Sequence, residues 1–164
     1  MITIRKAKLS DVDDLVSMNT TFIKEHGAMI VARQPLAKEW VQKKKEAPQL
    51  WRRWITRNTR SRNARVHLAY VDGKLAGFNL CIIKKNIPGF TLEKYGEVMD
   101  LYVKKSFRGR GVSTALKDTA MAWFKERGMK HASIHAHHEN SHARDIYRKW
   151  GFIDYHVEKR MKIR

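Results

Sequence analysis

At 164 residues, 43% of them hydrophobic, the chain has the size and composition of one globular domain, and no stretch nears the roughly 18 consecutive apolar residues of a membrane span. Its 34 Lys and Arg against 16 Asp and Glu give a net charge of +18, which draws anionic ligands and repels polycations, so polyamine and aminoglycoside acceptors are disfavoured. The one cysteine, Cys81, sits in the apolar run Leu80-Cys81-Ile82-Ile83; this excludes an intrachain disulfide and reads as a buried thiol in a reducing compartment. With no export signal in Met1-Ile2-Thr3-Ile4-Arg5-Lys6, the expected location is cytoplasmic, without a membrane partner.

Residues 2–6 alternate as an edge strand, and Ser10-Asp11-Val12-Asp13 then opens a helix over residues 11–24, with Ser10 as its expected cap and Gly27 as its break. Pro35 and Pro48 bracket two basic segments whose Leu36, Trp40, Leu50, Trp51 and Trp54 recur at helical spacing, which predicts an interrupted helical region. Two strands, 66–71 and 75–83, flank the turn signal Asp72-Gly73 and form a hairpin. A central strand follows over residues 97–103, then a helix over 111–127 with Val112, Ala115, Leu116, Thr119, Trp123 and Phe124 on one stripe and Gly128 as its stop. Next come a short strand at 132–136 and a helix at 141–150, after which residues 152–163 alternate like a closing hairpin or strand pair.

The strand-to-helix junction Arg108-Gly109-Arg110-Gly111-Val112-Ser113 gathers backbone N–H groups, a positive helix end and two guanidinium groups around one spot suited to a pyrophosphate. It lacks the Gly-Lys-Ser/Thr ending of a nucleoside triphosphatase loop, so ATP hydrolysis is disfavoured. Arg108, Gly111 and Ser113 resemble the Arg/Gln-x-x-Gly-x-Gly/Ala signature of the GNAT superfamily of N-acetyltransferases, with Ser113 in place of the last small residue. About 30 residues downstream, room for one helix and one strand, Asn140, Ala143, Ile146, Tyr147, Gly151 and Phe152 match every element of that family's second signature.

The resemblance implies an α/β (α+β) fold: a mixed, mostly antiparallel sheet of about six or seven strands flanked by about four helices, whose splayed central strand pair binds acetyl-CoA. One acetyltransferase domain spans residues 1–164, with a basic acceptor-side helical region at 33–65, a pyrophosphate-loop unit at 96–127 and the second signature with closing strands at 130–163. By resemblance, Leu101, Tyr102 and Val103 offer backbone groups to the pantetheine arm, Asn140 hydrogen-bonds it, Ala143 and Tyr147 also contact the cofactor, and Arg108, Gly109, Arg110, Gly111, Val112 and Ser113 hold the pyrophosphate. Amine attack on a thioester requires a base and an acid. Glu97, eleven residues before Arg108, is the first choice as base, Asp100 its rival, and Tyr147 the acid that protonates the departing thiolate. Direct transfer in a ternary complex is implied; an acetyl-cysteine at Cys81 has no neighbouring His motif or helix N-terminus to activate it.

Residues 33–65 carry eleven basic residues against two acidic ones, a net +9, with Trp40, Trp51 and Trp54 interleaved. This favours an anionic or acidic amine acceptor, and equally a solvated helical face or contact with nucleic acid or a ribosome. His131, His135, His137, His138 and His142 cluster without a recognisable metal spacing, so no metal is expected, although His135 and His137 would share one strand face near the acceptor channel. The competing reading of the chain is a basic nucleic-acid- or ribosome-associated binding module on the same fold with little or no catalysis; a homodimer is left open.

Overall fold

The computed structural model describes residues 1–163. One sheet runs in the order β1 (Ile2–Lys6), β2 (Ala64–Val71), β3 (Lys74–Lys85), β4 (Lys94–Val103), β5 (Ala132–Ile134), antiparallel except for the parallel pair β4 and β5. Helices α1 (Val12–Arg33) and α2 (Ala47–Arg60), joined through a 3-10 segment at Pro35–Val41, cover one face. Helix α3 (Val112–Glu126) covers the other, and α4 (Ser141–Lys149) follows β5.

The alternation of the strands accounts for the two layers. Leu68, Phe78, Leu80 and Tyr102 point towards Leu15 and Met18 of α1 and Ile55 of α2. From the opposite face, Cys81 and Val98 meet Ala120, Trp123 and Phe124 of α3, and Ala69, Ala76 and Val103 meet Val112 and Leu116. The Asp72-Gly73 turn closes the β2–β3 hairpin with φ of 48° and 75°, the left-handed pair that two-residue hairpins require.

The fold is the mixed α/β architecture expected, with differences in detail. Helix α1 does not stop at residue 24 but runs to Arg33, with Gly27 buried within it in helical conformation, where a Cβ would stand in ordinary contact, 3.7 Å from Val41 Cβ. Asp11, not Ser10, organises the start of α1: its carboxylate accepts from the Lys8 backbone N–H at 2.7 Å and from both terminal nitrogens of Arg5, each at 2.7 Å. Those contacts hold the Asp11 carboxyl down to about 2.

The sheet has five strands, not six or seven. Residues 152–163 form no strand; Ile153, Tyr155, Val157, Met161 and Ile163 are exposed, and the segment touches the 3-10 turn through Arg160 over the Trp40 ring and Lys162 on Glu39. Apolar alternation marks strand propensity, but a strand exists only where its backbone finds a partner edge. Strand β5 likewise ends at Ile134, so His135 and His137 lie beyond it and share no strand face.

Candidate functional site

The site is organised by β4 and the pairing it lacks. Its ladder with β5 covers only Gly96, Glu97 and Val98, opposite Ala132, Ser133 and Ile134, and ends there because β5 ends at Ile134. From Met99 to Val103 the β5-facing edge of β4 therefore carries backbone groups that no strand satisfies, and an extended ligand arm can hydrogen-bond there as a strand would. Leu101, Tyr102 and Val103 occupy this open stretch.

At the end of β4 the chain makes a 3-10 turn, Lys105–Phe107, and passes through Gly109 and Gly111 with φ of 76° and 79° into α3. The left-handed conformation of Gly111, the residue preceding α3, aims the first turn outwards, and the first helical bond runs from Ala115 N to Gly111 O. Among the described residues, the N–H groups of residues 109–114 donate to no protein acceptor, whereas Val112 itself is buried in the core and anchors the turn. A cluster of free donors at a positive helix end is an anion cradle.

Arg108 is already engaged. Its Nε donates to the Val103 carbonyl at 3.0 Å and its Nη2 to Glu25 of α1 at 2.7 Å, while the Tyr102 hydroxyl donates to the same carboxylate at 3.3 Å. Arg108 thus locks the loop to the end of β4 and to α1. Arg110 lies over the Phe107 ring at 5.7 Å and has no carboxylate at ion-pair distance among the described residues, so its charge remains free for a ligand.

A β-bulge in β4 decides which side chains share a face. Leu80 pairs with Asp100 and Cys81 with Val98, which leaves Met99 as the extra residue. Glu97, opposite Ile82, and Asp100, opposite Leu80, consequently both point to the α1/α2 face, as does Tyr102 opposite Phe78. Strict alternation would put Glu97 and Asp100 on opposite faces.

The two carboxylates have different surroundings. Glu97 is 2% exposed, and its Oε2 lies 3.0 Å from Lys84 Nζ, with His135 Nδ1 4.0 Å from Oε1. Asp100 has no cationic partner among the described residues, and burial pushes its carboxyl up to about 6. His26, on α1, meets His137 edge-on at 6.2 Å; burial and the His137 charge both lower its pKa. Cys81 is fully buried and its thiol is pushed up by burial, the opposite of an activated nucleophile.

The second signature lies on α4 and the residues that flank it. Asn140 precedes α4 and accepts from the Ala143 N–H at 3.2 Å through Oδ1, which leaves its amide N–H groups for a ligand. Tyr147 stacks on Trp150 at 5.5 Å and packs near Phe152 at 6.4 Å. Burial raises its hydroxyl to about 12, so it stays protonated at neutral pH, as a proton donor must. Among the described residues no group of His, Cys, Asp and Glu is arranged to hold a metal, and no helix is long and apolar enough to cross a membrane.

One positioning element is not visible in the sequence motifs. Asn79, fully buried on β3, donates from Nδ2 to the Leu116 carbonyl of α3 at 2.7 Å. Its Oδ1 therefore accepts from the buried His67 at 2.8 Å, which makes Nδ1 the protonated nitrogen. This polar chain ties the helix that carries the anion cradle to the sheet. Only an Asn within the apolar run of residues 75–83 could have signalled it.

Similarity to known proteins agrees with this geometry. An N-acetyltransferase of Methanocaldococcus jannaschii is 28% identical over 158 residues, covering 96% of this chain, which spans only 63% of that protein's length. An N-alpha-acetyltransferase of Sulfurisphaera tokodaii is 25% identical over 94% of this chain and 81% of its own. The fold is that of a predicted acetyltransferase of Clostridium acetobutylicum solved with acetyl-CoA (TM-score 0.78, 18% identity, 99% of this chain and 96% of that one). An aminoglycoside N-acetyltransferase in complex with CoA shares it too (TM-score 0.75, 15% identity, 100% of this chain and 95% of that one). The acetyltransferase (GNAT) family model matches residues 29–152, more than half of the chain, and the chain belongs to that family.

Proposed function

We propose that the chain transfers the acetyl group of acetyl-CoA to a primary amine by direct attack in a ternary complex. The carrying observation is the continuity of two backbone surfaces: the β4 edge from Met99 to Val103, which no strand pairs and on which Arg108 takes the Val103 carbonyl, runs into the free N–H groups of residues 109–114. An extended amide-containing arm ending in a pyrophosphate matches both in order. Acetyl-CoA has that form, and its thioester would lie beside the bulge, where Glu97 and Asp100 face the acceptor side.

The thioester supplies the acetyl group. A carboxylate on β4 takes the proton that the amine nitrogen loses as its bond to the carbonyl carbon forms, and Tyr147 gives its proton to the sulfur as the carbon–sulfur bond breaks. Asp100 suits the base role better than Glu97. A carboxyl at about 6 is a stronger proton acceptor than an ordinary one, whereas the Glu97 charge is already balanced by Lys84. In this reading Glu97 fixes Lys84 and His135 at the acceptor mouth.

An α-amino group, with a pKa of about 8, needs less help from such a base than a lysine at about 10. The Sulfurisphaera relative's name, N-alpha-acetyltransferase, points the same way. The net charge of +18 favours a peptide with acidic residues behind its amine.

Calorimetric titration of acetyl-CoA tests the donor site without knowledge of the acceptor. Micromolar binding is expected, weakened about tenfold in Arg110→Ala and further in the Arg108→Ala, Arg110→Ala double variant. Absence of binding to the wild-type chain would remove the acetyl-CoA reading.

A further inference from the structure

The basic charge is not spread evenly over the surface. On α2 between Arg52 and Arg60, the exposed residues are Arg52, Arg53, Arg57 and Arg60 and no others, and they border a shallow groove with Thr56 in its lining. Arg52 is paired with Asp13. Arg53, Arg57 and Arg60 have no carboxylate at ion-pair distance among the described residues.

Two other elements extend this row. Arg62 follows α2 directly, and Arg127, beyond the end of α3, donates from Nη1 to the Arg62 carbonyl at 2.6 Å. Beside them, Asn63 accepts from Ile83 N at 2.8 Å, which brings in the end of β3, where Lys85 stands directly opposite Lys94. Like charges facing across a ladder are unfavourable, and a bound anion relieves them.

We propose that this row of Arg53, Arg57, Arg60, Arg62, Arg127 and Lys85 is a track for the phosphate backbone of a nucleic acid. The chemistry of the face selects that occupant. A protein partner is held by an apolar, aromatic centre within the patch, and an anionic membrane by apolar groups that insert beside the cations. The arginine stretch of α2 offers neither, because Trp54 folds inwards against the core shared with α1; the exposed Ile87 and Phe90 lie past Lys85, in the β3–β4 loop beyond the end of the row. A phosphate backbone needs only the guanidinium groups, which bind phosphate in bidentate fashion. Arg53 to Arg60 spans about 10 Å of helix, so the row meets several successive phosphates. With Trp54 turned inwards, the track reads phosphates and not bases, and binding is insensitive to sequence. The proposal does not depend on acetyl transfer.

Fluorescence anisotropy of a labelled 20-nucleotide RNA of mixed sequence, over a range of salt, tests it. The Arg53→Gln, Arg57→Gln, Arg60→Gln variant should lose at least tenfold in affinity, and its slope of log K against log salt should become shallower by about 2. A control losing the same charge elsewhere, Lys6→Gln, Lys8→Gln, Lys74→Gln, should stay within twofold of the wild type. Replacing the three arginines by lysine should retain most of the binding, and acetyl-CoA affinity should be unchanged in every variant. Equal loss in the control would reduce the effect to net charge and overturn the proposal. So would absence of wild-type binding, displacement of the RNA by polyglutamate at equal charge concentration, or tighter binding to phosphatidylserine vesicles than to RNA.

Discussion

The two sides of β4 are built differently. On the α3 side, Val112, Leu116, Ala120, Trp123 and Phe124 are all buried, and the loop that leads into the helix presents backbone N–H groups. On the other side, α1 buries Val12, Leu15, Met18, Asn19, Gly27 and Ile30, but α2 beyond it buries only Ala47 and Ile55, the 3-10 segment Pro35–Val41 buries nothing, and their outer surface is rich in long charged side chains. In the proposed reading the donor is held by main chain on a packed helix and the acceptor by side chains of the more lightly packed α2. A donor site made of backbone is fixed once the helix is fixed, whereas an acceptor site made of side chains can change without touching the core.

Asp100, on the strand shared by both sides, carries the largest expected effect. Asp100→Asn should lower kcat by 10²-fold or more, and should remove a limb of the kcat profile that rises with pH through about 6, since the base acts only when ionised. Glu97→Gln should cost less and keep that limb. The reverse result would exchange their roles.

Asn79 separates the sides. Asn79→Ala deletes the link between β3 and α3 and leaves His67 Nδ1 unpaired. It should cost about 3 kcal/mol in chemical denaturation and weaken acetyl-CoA binding as well, because the loosened helix carries the cradle. Stability lost with unchanged acetyl-CoA affinity would show that the cradle does not depend on the core beneath it.

Asp11 makes the matching test on the other side. Its carboxyl is about 2 in the folded chain against an ordinary 3.8, so its contribution is complete above pH 4 and is lost as pH falls through about 2. Asp11→Asn should therefore cost about 2 kcal/mol at neutral pH and progressively less below pH 4, with acetyl-CoA affinity unaffected. A loss of acetyl-CoA affinity would couple the two sides.

This contrast also explains what the sequence disclosed. Helix α3, its glycine entry and the Asp72-Gly73 hairpin follow from local periodicity and from conformations that only certain residues adopt, so they are readable without the rest of the chain. The bulge at Met99 is a property of pairing between β3 and β4; nothing in residues 97–103 announces it, yet it brings Asp100 to the face of Glu97. Gly27 resembles a helix stop in sequence, yet α1 continues through it, because the 3-10 segment packs on the helix there and holds it in the buried layer. The alternation after Phe152 announced strands, but residues 152–163 pair with no strand. The arginine row likewise draws on α2, the segment after it and the end of α3, which only the fold assembles.

The short ladder between β4 and β5 has one more consequence. A bare strand edge is a template to which another chain's strand can add, the first step towards aggregation. In the ligand-free chain that edge runs from Met99 to Val103 beside a loop of arginines, on a molecule with a net charge of +18, so a second copy approaching edge to edge meets strong repulsion while an anionic ligand is drawn in. The same charge that favours an anionic ligand opposes the pairing of a second copy at this edge.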